Sequence, residues 1–233
     1  MLMPPEDHRQ SLTWTGQTSC HDSQGRIIDC NASGQDAEFL TGAAWPEERF
    51  MTHDDTVRDR LTELIWTRSA NPAEFPLNWQ EALEYIEHMN QQQAYGHNDW
   101  RMPNRREMRS LISHQTRRPP LPAGHPFTDV FGNWYWTSTT AAIAPDHAWY
   151  VSLDGGRMFF GGKDQSFMIW PVRGIANELV LRTGQATCHD PSGKRIACEA
   201  SGQDAAYRSG AAWPEPRFQI IDDGVWDRLT ARV

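Results

Sequence analysis

The sequence predicts an α+β fold: two helices followed by a small antiparallel sheet, preceded and followed by copies of a disulfide-bearing β-hairpin leader. Three observations predict it. Residues 15–62 recur at 183–230 without a gap. Two stretches in the middle carry apolar residues at helical spacing behind asparagine caps. From Trp134 onward aromatic and β-branched runs alternate with glycine turns.

The leader comes first. About 30 of its 48 paired positions are identical between the copies, including TGQ, CHD, ASGQDA, GAAWPE and DRLT. Cys20 answers to Cys188 and Trp45 to Trp213. Each copy holds a C-x9-C pair around a polar, glycine-containing turn, SQGR or PSGK, as a tight hairpin requires. Cysteines facing each other across such a hairpin can meet bridging geometry, and their even number favours the pairs Cys20–Cys30 and Cys188–Cys198. Free thiols and a zinc site are the alternatives, zinc being opposed by the absence of ligand spacing of about two to four residues. The first copy runs on into a further domain and the second stops at Val233, so a tandem array cut short is expected, with a C-terminal cap as the alternative.

The two helices follow from local chemistry. Asn78 precedes Trp79, Ala82, Leu83, Ile86 and Met89, one apolar stripe, and Glu81 stands where a capping-box acid reaches back. A second, shorter helix starts after Pro103 with Asn104 as cap and Glu107 at the third position, presenting Met108, Leu111 and Ile112. The strands are then WYWTST, HAWYVSL, RMFF after a DGG turn, and IWPVRG, expected in one small sheet.

Composition limits function. A net charge of −8 argues against nucleic acid, whose non-specific binding needs a basic surface. No apolar run reaches the roughly 18–20 residues that cross a bilayer, so membrane insertion is not expected. The opening MLMPPEDHRQ lacks the basic start and apolar middle of a signal peptide. Disulfides would place the chain in an extracellular or periplasmic compartment.

The segments LNWQEALEYIEHMN, GHNDWRMPNRREMRSLI, WYWTSTT, HAWYVSLDGG and WPVRG, in that order, resemble the bacterial Lcl C-terminal domain family over roughly residues 54–174. Two positions depart from the family pattern: Glu63 stands where a turn glycine is usual, and Gly174 where a cysteine is usual. The resemblance implies a C-type-lectin-like fold, in which loops between the late strands, here about 115–133 and 154–168, display the recognition surface on a rigid scaffold. The expected organisation is a leader at 1–53, the Lcl-like domain at 54–174 and a second leader copy at 175–233.

Candidate ligand contacts fall into two classes. Arg101, Arg105, Arg106, Arg109, Arg117 and Arg118 cluster within a short stretch, and guanidinium forks suit sulfate, phosphate or carboxylate. A solvated helix face neutralised by Glu107 is the plainer alternative. Trp134, Tyr135, Trp136, Trp149 and Tyr150 offer flat faces for sugar rings, although strand alternation must send about half of them inward. Phe159, Phe160, Phe167, Lys163 and Asp164 lie in the second loop region. Asp54, Asp55 and Asp59, repeated as Asp222, Asp223 and Asp227, are calcium candidates, with a turn-forming role as the plainer alternative. No other cofactor is expected.

The fold implied by the resemblance also occurs in formylglycine-generating enzymes, but residues 31–187 contain no cysteine for that chemistry. No GxSxG, HExxH or phosphate-binding glycine loop occurs. A binding or adhesion module for a polysaccharide or surface protein is therefore expected rather than an enzyme, with a structural surface or fibre component built of tandem, oligomeric units as the alternative.

Overall fold

The architecture is α+β with small antiparallel sheets, and the computed structural model describes residues 12–230. The opening ten residues read above for an export signal lie outside the described residues. In the first leader, β1 (Cys20–His21) and β2 (Ile27–Ile28) pair antiparallel. Asp22 closes their turn by accepting from the N–H groups of Gln24 and Arg26. The Cys20–Cys30 disulfide clamps this hairpin, with Cα atoms 5.2 Å apart. A single turn, α1 (Asp36–Phe39), ends where Leu40 takes a left-handed conformation.

The chain then forms β3 (Phe50–His53), β4 (Thr56–Asp59) and β5 (Ile65–Thr67). β3 and β4 are hydrogen-bonded to each other, so the expected boundary at 53/54 falls in the turn of one hairpin. Glu63, in place of the usual glycine, adopts φ +65° and its carboxylate pairs with Arg58. The turn forms without glycine.

Both helices start as their caps predict. In α2 (Trp79–Gln91) Asn78 accepts from the Glu81 N–H at 2.9 Å and Glu81 accepts from the Asn78 N–H at 2.9 Å. In α3 (Arg105–Ser110) Asn104 and Glu107 make the same reciprocal pair. The late strands β6 (Trp134–Ala141), β7 (Ala144–Ser152) and β8 (Met158–Gly162) form a three-stranded meander. The closing strand corrects the expectation of one sheet. β9 (Val172–Arg173) pairs with β5 and completes a separate sheet in the order β3-β4-β5-β9.

Tryptophans organise the interior. Trp66, Trp79, Trp100, Trp136 and Trp170 are all fully buried, and four of them donate their indole N–H to the backbone carbonyls of Thr137, Ala94, Leu77 and Thr67. One apolar cluster centres on Trp66, Tyr135 and Trp170, and a second on Trp79, Trp100 and Trp136 beneath α2.

The second leader repeats the first element by element: β10 (Cys188–His189), β11 (Arg195–Ile196), α4 (Asp204–Tyr207), β12 (Phe218–Ile221) and β13 (Gly224–Asp227), with the Cys188–Cys198 disulfide in the equivalent place. Among the described residues no cysteine is free. No described helix is long and apolar enough to cross a membrane.

Candidate functional site

The arginine cluster read from the sequence divides into three groups. Arg101 is inside: both of its terminal nitrogens donate to the Glu107 carboxylate at 2.7 Å, and both side chains are nearly inaccessible. Burial alone would depress the Arg101 pKa, but the adjoining Glu107 charge overrides it and raises the value. Arg118 grips Asp154 bidentately at 2.8 and 2.7 Å, and Arg117 approaches the same carboxylate at 3.6 Å. These contacts tie the loop after α3 to the loop before β8. Arg105, Arg106 and Arg109 form the third group, and among the described residues none of them has a carboxylate within ion-pair distance. Glu107, the neutralising acid expected from the sequence, is turned into the core instead.

These three arginines line a cleft of about 490 Å³. Its floor is α3, and its two walls are the same stretch of the two leaders: Leu12–Thr15 on one side and Val180, Leu181 and Thr183 on the other. The walls are built alike, by a parallel bridge from Thr13 to Ala43 in one leader and from Leu181 to Ala211 in the other. Partial burial, then the neighbouring Arg106 and Arg109 charges, lower the Arg105 pKa. Burial, Arg217 and Arg109 do the same to Arg106. His114, also lining the cleft, is lowered by burial and by Arg109. Burial is the larger cause in each case, and the neighbouring guanidinium charges add to it while Asp204 and Asp36 oppose it, so cationic neighbours stand around each group, which suits an anion in the cleft. Arg217 of the second leader joins the cationic field while paired to Asp227, and its guanidinium stacks 4.9 Å from the Trp213 ring. Sequence reasoning missed Arg217 because only the docking of the second leader brings it near α3.

An aromatic shelf adjoins the cleft. The Arg105 guanidinium lies 3.6 Å from the Trp149 ring centre, and Trp149 meets Phe160 edge-on at 5.3 Å. Trp134 contacts Tyr150 at 5.0 Å and Phe159 at 5.6 Å. Phe159 and Phe160 are exposed, Trp134 is half-buried, and Asp164 is exposed at the turn after β8.

Three expected contacts are corrected. Trp136 is fully buried with its N–H on the Leu77 carbonyl, so no ligand reaches it. Tyr135 is buried too, because the expected alternation along β6 fails where packing covers both of its faces. Burial pushes the Tyr135 hydroxyl up to about 12. Lys163 is 1% exposed. Its ammonium donates to the carbonyls of His189 at 3.0 Å and Asp190 at 3.3 Å and sits 4.1 Å from the Trp79 ring. Burial lowers this lysine to about 8, against the opposing pull of Asp190 and Asp146. The calcium role for Asp59 is corrected as well: its oxygens accept from Arg49 at 2.9 and 2.8 Å and from the Leu61 N–H and Thr62 hydroxyl, and it is fully buried. Asp54 occupies the β3–β4 turn with φ +48°, and Asp55 beside it is exposed. In the second leader Asp227 is likewise held by Arg217, whose hydrogen bonds bring it down to about 2.

The seat of the second leader is polar and buried. Asp204 accepts from the hydroxyls of Thr139 and Thr183, both at 2.7 Å. Burial raises its pKa despite those two donors. The Gln185 amide accepts from the Thr140 N–H at 3.1 Å and donates to the Thr140 carbonyl at 2.9 Å, extending the edge of β6 like a short strand. Ser209 accepts from Arg101 at 3.2 Å. Glycines allow the close approach: a Cβ at Gly193 would lie 3.0 Å from the Asp146 nitrogen, and one at Gly202 would lie 3.1 Å from Leu83.

A family model described as the Lcl C-terminal domain matches residues 55–173. No curated protein matches the chain.

Proposed function

The chain belongs to the Lcl C-terminal domain family, and we propose that it is an extracellular or periplasmic binding module, with a C-type-lectin-like core, that holds an anionic glycan in the arginine cleft. The single observation that carries this reading is the absence of any carboxylate partner, among the described residues, for Arg105, Arg106 and Arg109 in one walled cleft. Sulfate or carboxylate groups would supply the missing charge through bidentate forks. The adjoining Trp149–Phe160 shelf offers ring faces to the sugar between its charged groups. Two disulfides suit an oxidising compartment. In this reading the domain binds without turnover and without calcium.

Calorimetric titration with a sulfated polysaccharide such as heparin, with hyaluronan and with neutral dextran tests the proposal. Heparin is expected to bind, with affinity falling as salt rises, and dextran is not. Arg105→Ala/Arg109→Ala should weaken binding more than tenfold, because each charge-assisted hydrogen bond lost costs about 1.5–3 kcal/mol. Equal affinity of variant and parent would refute the cleft as the site. The alternative of a structural component assembled from tandem units is favoured by the specific seam between the second leader and the core.

A further inference from the structure

The seam has a duplicate. The residues that fasten the second leader to the strand edge and to Arg101 have counterparts in the first leader at a constant spacing: Gln17 for Gln185, Asp36 for Asp204, Thr41 for Ser209 and Phe39 for Tyr207. The internal architecture that presents them is also the same. Thr15 donates to Asp36 as Thr183 does to Asp204, and the Gln35 amide bridges His21 as Gln203 bridges His189.

What differs is the surroundings. The second leader's Tyr207 lies against the Arg101 guanidinium at 5.5 Å and is 46% exposed, whereas Phe39 is 63% exposed. Gly193 and Gly202 press against Asp146 and Leu83, whereas a Cβ at Gly25 or Gly34 would meet nothing within 4 Å. Asp204 is 3% exposed, and Asp36 is only half-buried. The first leader meets its own core elsewhere, through the Thr15 carbonyl on the His114 N–H and through Thr18 and Ser19 on Gln115.

We infer that the first leader is a docking plug, and that its partner is the core of a second copy of this chain, on the strand edge at Thr139 and Thr140 with Arg101 and Lys163 beside it. The complementarity is already written in the molecule: that edge supplies a hydroxyl for Asp36, a backbone N–H and C=O for the Gln17 amide, a guanidinium for Thr41 and Phe39, and an ammonium for the carbonyls of His21 and Asp22. The tethered second leader competes for the same edge with the advantage of high effective concentration, so exchange between chains is controlled by how well that leader is seated. A leader bound head-to-tail in this way propagates into rings or open chains, since the interface joins unlike surfaces. This inference rests on the assembly reading and not on the glycan reading.

The test unseats the second leader in the full chain. Gln185→Ala, Asp204→Lys and the two together are made in series until the Thr140 amide loses its protection from hydrogen exchange, which reports that the edge is bare. Sedimentation velocity on that variant should then show mass rising with concentration, while the parent stays at a lower mass. Adding Gln17→Ala/Asp36→Lys in the first leader should return it to the monomer, and circular dichroism checks that the fold persists. A bare-edged variant that remains monomeric overturns the inference. Association that is indifferent to Gln17 and Asp36 also overturns it, and leaves assembly itself standing by another surface.

Discussion

Replacing Glu107 by glutamine tests how far the buried ion pair, and not merely packing, holds the core together. The side chain is fully buried, and one carboxylate oxygen accepts from Arg101 at 2.7 Å and from the Asn104 N–H at 2.8 Å, while the other accepts from Arg101 at 2.7 Å. Glutamine keeps the shape and one acceptor but removes the charge. Arg101 then remains inside with one neutral glutamine oxygen, the carbonyl of Gly174, the Ser209 hydroxyl and the Tyr207 ring around it, and no carboxylate to balance its charge. Stripping one partner from a buried pair costs about 3–5 kcal/mol. For a chain of this size 1 kcal/mol moves the melting temperature by about 2–4 °C, so a fall of about 10 °C is expected. Arg101→Met should cost a similar amount by leaving the carboxylate alone. The double variant should cost less than the sum of the singles by about 3 kcal/mol, because neither charge is then stranded. Urea unfolding followed by tryptophan fluorescence measures all three. Additivity within about 0.5 kcal/mol, or a single-variant cost below about 1 kcal/mol, would refute the reasoning.

Lys163 should make stability depend on pH. Its folded value of about 8 lies below the ordinary 10.5, so the folded state holds fewer protons between those limits, and stability rises with pH across that window by at most about 3 kcal/mol and is flat in this contribution below it. Lys163→Met should abolish the rise, and an identical slope in the two proteins would show that the lysine is not its source. Calcium should leave the melting temperature unchanged, since Asp59 is consumed by Arg49. A site filled at a hundredfold excess over its Kd would add about 2.7 kcal/mol, so an upward shift of several degrees would restore the aspartates as ligands.

Local chemistry was legible and long-range pairing was not. The asparagine caps and their partner acids place both helix starts, because a capping box is closed within four residues. The cysteine pairs are legible for the same reason, each bridging a hairpin ten positions apart. The sheet of the two-residue β9 is not legible in its own sequence, because its choice of β5 over the late strands depends on a partner about a hundred residues away, Val172 lying opposite Trp66. Lys163 read as a loop cation because lysine is rarely buried. The carbonyls of His189 and Asp190 that receive it belong to the second leader and carry no side-chain signature. Glu107 read as the acid that neutralises the α3 arginines, since spacing alone does not tell which face of a short helix a carboxylate takes.

That turning of Glu107 connects the fold to the cleft. With the helix's own acid spent on Arg101, the remaining acids near α3 come from the leaders, Asp36 acting on His114 and Asp204 on Arg105 and Arg106. Each leader, however, commits its aspartate to threonine: Asp36 to Thr15, and Asp204 to Thr183 and Thr139. Held by hydroxyls, these carboxylates moderate the cationic field without forming ion pairs with it. The same bond from Thr139 to Asp204 that seats the second leader therefore also engages an acid that acts on the cleft arginines. Unseating the leader should change anion affinity as well as assembly, because one contact carries both.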